Sequence, residues 1–202
     1  MADSMVSNFE CKWNKYFPNK APIPYLFKYY FQNNWLRVHS LPNSKRYANH
    51  AVEIDLLLRR QNQVISDCLT SGIPIFIVSG NYFIGNSSTP SYDQASILQY
   101  DFITGSRINL HKLDPKYFDD GESNDSCFIP MFTETVWEPN LHNDLLIKIA
   151  NDETRAFLIS FEKKIIIAPY DGGLDLITED LDLKNKIRQK YCEMLSKRHD
   201  QL

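Results

Sequence analysis

The sequence lacks the long apolar runs and the paired cysteines that define several large classes of protein. Its apolar runs, such as residues 165–168, fall far short of the about 20 residues that a membrane-spanning helix needs. Residues 1–15 include Asp3 and Glu10 and lack the pattern of a secretory signal. We therefore expect a cytoplasmic protein without membrane contact. Its four cysteines form no C-x-x-C pair and are expected to be reduced thiols: Cys11, Cys68, Cys127 and Cys192.

Motifs for catalysis and cofactor binding are equally scarce. None of the five histidines has the H-E-x-x-H spacing of a zinc site, and no serine lies in a G-x-S-x-G turn. Gly80 and Gly85 are five residues apart, but Asn86 stands where a phosphate-binding loop has its Lys followed by Ser or Thr. The sequence therefore predicts no metal, no cofactor and no catalytic residue.

The chain also has no excess of positive charge. Its formal net charge is -3 and its isoelectric point is near 5.9, which argues against a general nucleic-acid-binding protein. The charge is uneven, because residues 114–144 contain eight acids and a single lysine. An acidic surface of this kind complements a basic protein partner. The candidate contacts for such a partner are Asp119, Asp120, Glu122 and Asp125.

Apolar and aromatic side chains, in contrast, are abundant. Of the 202 residues, 43% are hydrophobic and 13% are aromatic, which is enough to fill one core. The sequence predicts a single domain over residues 1–202. We expect residues 1–21 to be polar and flexible, and residues 80–125 to be rich in loops because Gly, Ser, Asn and Pro interrupt every pattern there.

Apolar periodicity predicts an α+β fold. Spacings of three and four residues indicate a long helix at about 49–71, and alternation indicates a strand at 35–39. Further helices are predicted at 24–32 and 179–197, and further strands at 73–78, 127–137, 145–149, 155–161 and 164–168. Short connections between the later strands require antiparallel neighbours. The expected fold is an antiparallel sheet of about five or six strands with helices packed on one face.

The densest group of functional side chains begins in the strand at 35–39. Alternation places Arg37 and His39 on one face, and the following loop brings Lys45 and Arg46 toward the start of the long helix. Cations beside a helix N-terminus suit a phosphate or a carboxylate. The turn at 169–175 adds complementary charges. One interpretation is therefore a small-anion site formed by Arg37, His39, Lys45, Arg46, Asp171 and Asp175.

The same residues also have a structural interpretation. Arg37 and Arg46 would be tied to acids such as Asp171 or Asp175, and the pairs would hold the loop in place. Asp followed by Gly is common in tight turns, and two carboxylates are too few for a calcium site. Fully buried, mutually bonded pairs would favour this structural role, whereas an open pocket with converging charged groups would favour a ligand site.

Two segments resemble an uncharacterised bacterial family known only as a domain of unknown function. They are WLRVHSLPNSKRYA at 35–48 and IIAPYDGGLDLI at 166–177, and the resemblance extends over about residues 25–197. The family usually has a His before its Pro-Tyr-Asp element, where this sequence has Ala168. Some such families are grouped with the immunity proteins of toxin systems. The resemblance thus implies a small cytoplasmic protein and transfers no catalytic residue.

Two functions are consistent with these observations. The first is a protein-binding module, such as an immunity protein that neutralises a toxin domain through the acidic segment. Replacement of Asp119, Asp120 and Glu122 by Ser would then weaken binding and reduce its dependence on salt. The alternative is a small-anion-binding protein or an enzyme, with its site between the loop at 37–46 and the turn at 169–175.

Overall fold

The computed structural model describes residues 2–93, 98–115 and 126–196. Their strands are β1 (Trp35–His39), β2 (Pro74–Ile84), β3 (Tyr92–Asp93), β4 (Ile103–Thr104), β5 (Ile108–Asn109), β6 (Ser126–Val136), β7 (Phe157–Ser160), β8 (Ile165–Tyr170) and β9 (Gly173–Thr178). These strands form a single antiparallel sheet in the order β1-β9-β8-β7-β2-β6-β4, with β3 beside β2 and β5 beside β6. The α+β class and the antiparallel sheet are confirmed.

Six α-helices and three short 3-10 turns accompany the sheet in the described residues. The helices are α1 (Ala2–Tyr16), α2 (Phe27–Tyr30), α3 (Ala51–Cys68), α4 (Leu110–Leu113), α5 (Asn143–Ala150) and α6 (Leu181–Lys190). The 3-10 turns are Pro24–Leu26, Pro42–Ser44 and Cys192–Met194. None of the described helices combines the length and the apolar character that crossing a membrane requires.

Helices pack on both faces of the sheet, so the expectation of helices on one face is wrong. Helices α3, α5 and α6 cover one face with residues such as Val64, Leu146 and Ile187. Helices α1 and α2 cover the other face, where Phe9, Trp13 and Phe27 lie in a second, aromatic cluster. The physical reason is that the central strands are apolar on both sides. In residues 165–168 of β8, for example, consecutive side chains face opposite clusters, and all four are buried.

The strand count is also higher than the expected five or six, because several elements differ from their predictions. Residues 145–149, predicted as a strand, belong to α5, whose buried residues recur with a helical spacing. Strand β9 was not predicted, because it begins at Gly173, directly after the tight turn at 171–172. Strands β3, β4 and β5 are only two residues long each and lie in the segment expected to be loop-rich. Helix α1 lies in the segment expected to be polar and flexible.

The pairing of β1 with β9 positions the residues predicted to form a site. In this antiparallel pair Arg37 lies opposite Asp175, and His39 lies opposite Gly173. A side chain at position 173 has no room, because a Cβ atom there would come within 2.0 Å of the Val38 carbonyl oxygen. Gly173 therefore allows the first and the last strand of the described chain to meet.

Candidate ligand-binding site

A cavity of about 270 Å³ lies where the ends of β1, β8 and β9 meet α2 and the connection between α5 and β7. Its described lining residues are Pro24, Tyr25, Lys28, Tyr29, Arg37, Arg46, Ile149, Asp152, Thr154, Arg155, Ala168, Pro169, Tyr170, Asp171 and Asp175. Four of the six residues predicted for a small-anion site are therefore brought together: Arg37, Arg46, Asp171 and Asp175.

Arg37 is held in a fixed orientation. Its Nε and Nη2 atoms donate to the two carboxylate oxygens of Asp175 at 2.7 and 2.8 Å. The guanidinium carbon also lies 4.3 Å from the ring centroid of Tyr170 and 5.2 Å from that of Trp35. Burial alone would lower the pKa of Arg37, but the hydrogen bonds and the charge of Asp175 raise it above its usual range. The side chain therefore stays charged although it is only 15% exposed.

One edge of the Arg37 guanidinium is left open. Asp175 occupies the edge formed by Nε and Nη2, whereas no described residue accepts a hydrogen bond from Nη1. The Nη1 atom and the second N–H of Nη2 form a second fork, which matches the two oxygens of a carboxylate or phosphate. Arg37 lines the cavity, so an oxyanion bound there would lie beside a guanidinium that Asp175 already holds in place.

Arg46 and Asp171 form a second ion pair at the cavity. The Nη2 atom of Arg46 donates to Oδ2 of Asp171, and the hydroxyl of Tyr47 also hydrogen-bonds to this carboxylate and thereby has its pKa raised. The Arg46 side chain is 65% exposed, while that of Asp171 is 10% exposed. The pair attaches the loop that follows β1 to the turn between β8 and β9. Both arginines are thus paired with the acids that the structural interpretation named, and both pairs also line an open cavity.

His39 and Lys45 do not line the cavity. His39 is buried behind it, with Nδ1 3.2 Å from the Tyr170 hydroxyl, so its ring supports the tyrosine that stacks on Arg37. Burial, reinforced by the positive charge of Arg37, lowers the pKa of His39. Lys45 instead forms an ion pair with Glu53, at 2.6 Å from Nζ to Oε1, in the first turn of α3.

The sequence interpretation missed one wall of the cavity. Tyr25, Lys28 and Tyr29 line it from the segment that contains the first 3-10 turn and α2. Their spacing of three and four residues was a usable signal, because it places such side chains on one helical face. Asp152 and Arg155, which follow α5, gave no signal, since only the tertiary fold brings them to the cavity.

The described residues that line the cavity carry one net positive charge. They include four cations, Lys28, Arg37, Arg46 and Arg155, and three carboxylates, Asp152, Asp171 and Asp175. The pair of Arg155 with Asp152 is long, at 3.5 Å. Lys28 has no ion pair with a described residue, and its Nζ lies 4.9 Å from the ring centroid of Tyr29.

The acidic contacts predicted for a protein partner, Asp119, Asp120, Glu122 and Asp125, lie outside the described residues. Across the described parts of the chain, no three His, Cys, Asp or Glu side chains come close enough to hold a metal ion. Of the two predicted sites, the cavity is therefore the one whose residues lie in the described part of the chain.

The fold and the cavity together define an α+β protein with a charged pocket at one end of an antiparallel sheet. The chain belongs to the family described as Domain of unknown function (DUF3885), which matches residues 23–199. This confirms the resemblance to an uncharacterised family. Helix α1 precedes the matched residues, whereas every cavity residue lies within them. No curated protein and no solved structure matches the chain.

Proposed function

We propose that this protein binds a small organic oxyanion in the cavity, with Arg37 as its principal contact. The observation that carries the proposal is the open fork of Arg37, fixed by Asp175 and by two aromatic rings. A guanidinium held in this way loses little side-chain entropy when it binds a ligand, so the binding energy of a bidentate contact is retained.

The open cavity beside Arg37 favours ligand binding over a purely structural role. The Asp175 side chain is 7% exposed, so desolvation strengthens every charge interaction around Arg37. A structural ion pair alone would need only the hydrogen bonds from Nε and Nη2, which Asp175 already accepts. Arg37 has further N–H donors, and it lines a cavity large enough for a small ligand.

The other hypothesis, a protein-binding module that neutralises a toxin domain in the cytoplasm, stays a prediction from the sequence. Its predicted contacts are Asp119, Asp120, Glu122 and Asp125. It concerns a different segment of the chain from the cavity, so the two functions are tested separately.

Binding at the cavity is tested by calorimetry with a panel of small carboxylates and phosphates. The variant Arg37→Lys keeps the positive charge but loses the planar fork, and we expect it to weaken the best ligand by about tenfold or more. The matched control, Arg59→Lys, changes an exposed arginine that does not line the cavity and should bind like the wild type. Equal affinity of wild type and Arg37→Lys, or no binding by the whole panel, would contradict the proposal.

A further inference from the structure

The charge of the cavity wall distinguishes between classes of oxyanion. Four cations and three carboxylates leave one positive charge to be neutralised. The tyrosines do not change this balance, because burial raises the pKa of Tyr25 and of Tyr170 and keeps both hydroxyls neutral. A ligand with one negative charge neutralises the wall, whereas a dianion leaves excess negative charge beside Asp175, whose carboxylate contacts the same guanidinium.

The remainder of the wall is rich in carbon. Ile149, Ala168 and the rings of Pro24, Pro169 and Tyr29 line the cavity together with the charged groups. Apolar surface beside polar groups that fix the orientation of a ligand is typical of sites for small organic molecules. An oxyanion without an apolar body would leave this part of the wall in contact with water.

The volume indicates how much of a ligand the cavity encloses. A cavity of about 270 Å³ corresponds to about nine water molecules at roughly 30 Å³ each. This space encloses a molecule of about ten non-hydrogen atoms, such as one ring with a short acidic arm.

From these observations we infer that the ligand is a monoanionic carboxylate with a compact apolar or aromatic body, and that the cavity selects it against phosphate esters. The inference rests on the proposed function, because it assigns the ligand class of the same site. The carboxylate binds the open fork of Arg37, and the apolar body packs against the proline and tyrosine rings.

Two probes of matched shape test the selectivity. Phenylacetate and phenyl phosphate each join a benzene ring to an anion through one atom, but at about pH 7.5 the phosphate ester is mostly a dianion because its second pKa is near 6. Acetate serves as the probe without an apolar body. We expect phenylacetate to bind the wild-type chain about tenfold more tightly than either phenyl phosphate or acetate in calorimetry.

A variant of the wall charge provides an independent test. Asp152→Asn removes an exposed carboxylate from the cavity wall and should improve the affinity for phenyl phosphate several-fold relative to phenylacetate. The matched control, Glu153→Gln, changes a neighbouring exposed acid that does not line the cavity and should leave the ratio unchanged.

The outcomes separate this inference from the proposed function. If phenyl phosphate binds as tightly as phenylacetate, and Arg37→Lys still weakens both, the proposed function stands and the carboxylate selectivity is refuted. Equal binding of acetate and phenylacetate would refute the inference that the ligand has an apolar body. If none of the probes binds, the inference and the proposed function both fail for this class of ligand.

Discussion

At the scale of single residues, the two arginine pairs of the cavity differ because of burial. Arg37 and Asp175 are 15% and 7% exposed, whereas the Arg46 side chain is 65% exposed. An exposed cation that loses its partner is solvated by water, so such a pair contributes little to stability. A buried cation that loses its partner keeps its desolvation penalty without compensation.

Replacing the two carboxylates should therefore have unequal effects. Asp175→Asn leaves Arg37 buried without a counter-ion, and we expect the free energy of unfolding to fall by about 3 kcal/mol. Asp171→Asn should cost less than about 1 kcal/mol, because Arg46 remains hydrated. Urea unfolding monitored by circular dichroism measures both values. Equal losses would show that the difference in burial does not determine the energetics of the two pairs.

At the scale of elements, the site depends on the pairing of β1 with β9. Alternation in β1 was readable from the sequence, and the predicted strand at 35–39 has the bounds of β1. Its partner was not predicted, since pairing between distant strands leaves no local pattern. The sequence therefore indicated four of the seven charged residues that line the cavity, but not that Arg37 and Asp175 lie opposite each other.

Two other elements were not predicted from the sequence, each for its own physical reason. The apolar residues of α5 also fit a short buried strand, and only the tertiary packing decides between the two. In helix α1 apolar and polar residues are mixed, yet Trp13 is 3% exposed and donates from Nε1 to the Lys20 carbonyl oxygen at 2.8 Å. Large buried rings thus anchor a helix in a segment that was expected to be flexible.

Because β1 and β9 lie close together at Gly173, we expect that a single methyl group added there destabilises the fold strongly. In Gly173→Ala the new Cβ atom would meet the Val38 carbonyl oxygen at 2.0 Å, so the strands must separate where they hold Arg37. We expect a loss of about 2 to 3 kcal/mol in the free energy of unfolding and weaker ligand binding. Unfolding in urea and calorimetry measure the two effects.

Gly85→Ala is the control for this substitution. Gly85 has a positive φ of 56°, and a methyl group added there would meet no described atom within 4 Å, so only the backbone conformation is penalised. The expected cost is about 1 kcal/mol, with unchanged ligand affinity. If Gly173→Ala lowers the free energy of unfolding by no more than this control does, the close contact between β1 and β9 does not determine the effect of the substitution.

At the scale of the whole molecule, two buried histidines connect stability to pH. His142 is 3% exposed, and its ring nitrogens lie 3.0 Å from the Tyr100 hydroxyl and from the Val136 carbonyl oxygen. A neutral ring satisfies both contacts by accepting from the hydroxyl and donating to the carbonyl. Burial lowers the pKa of His142, and burial together with Arg37 lowers the pKa of His39, which Asp175 only partly offsets.

The protein should therefore lose stability in mild acid. The unfolded chain takes up protons on these histidines near pH 6.5, whereas the folded chain resists protonation until the pH is lower. The free energy of unfolding is then highest above about pH 6.5 and falls as the pH decreases below it. Urea titrations at several pH values should show that the free energy of unfolding depends less steeply on pH in His142→Asn and in His39→Asn than in the wild type.

The position of β1 at one edge of the sheet, beside β9, has a consequence for biosynthesis. A ribosome adds about 5 to 20 residues per second, so β1 leaves the exit tunnel on the order of ten seconds before its partner strand. Arg37 therefore has no Asp175 to bind until the segment at 173–178 has been synthesised, and the cavity cannot form before then. A ligand of the proposed site would stabilise only a chain in which both strands are present, where it would shift the folding equilibrium by mass action.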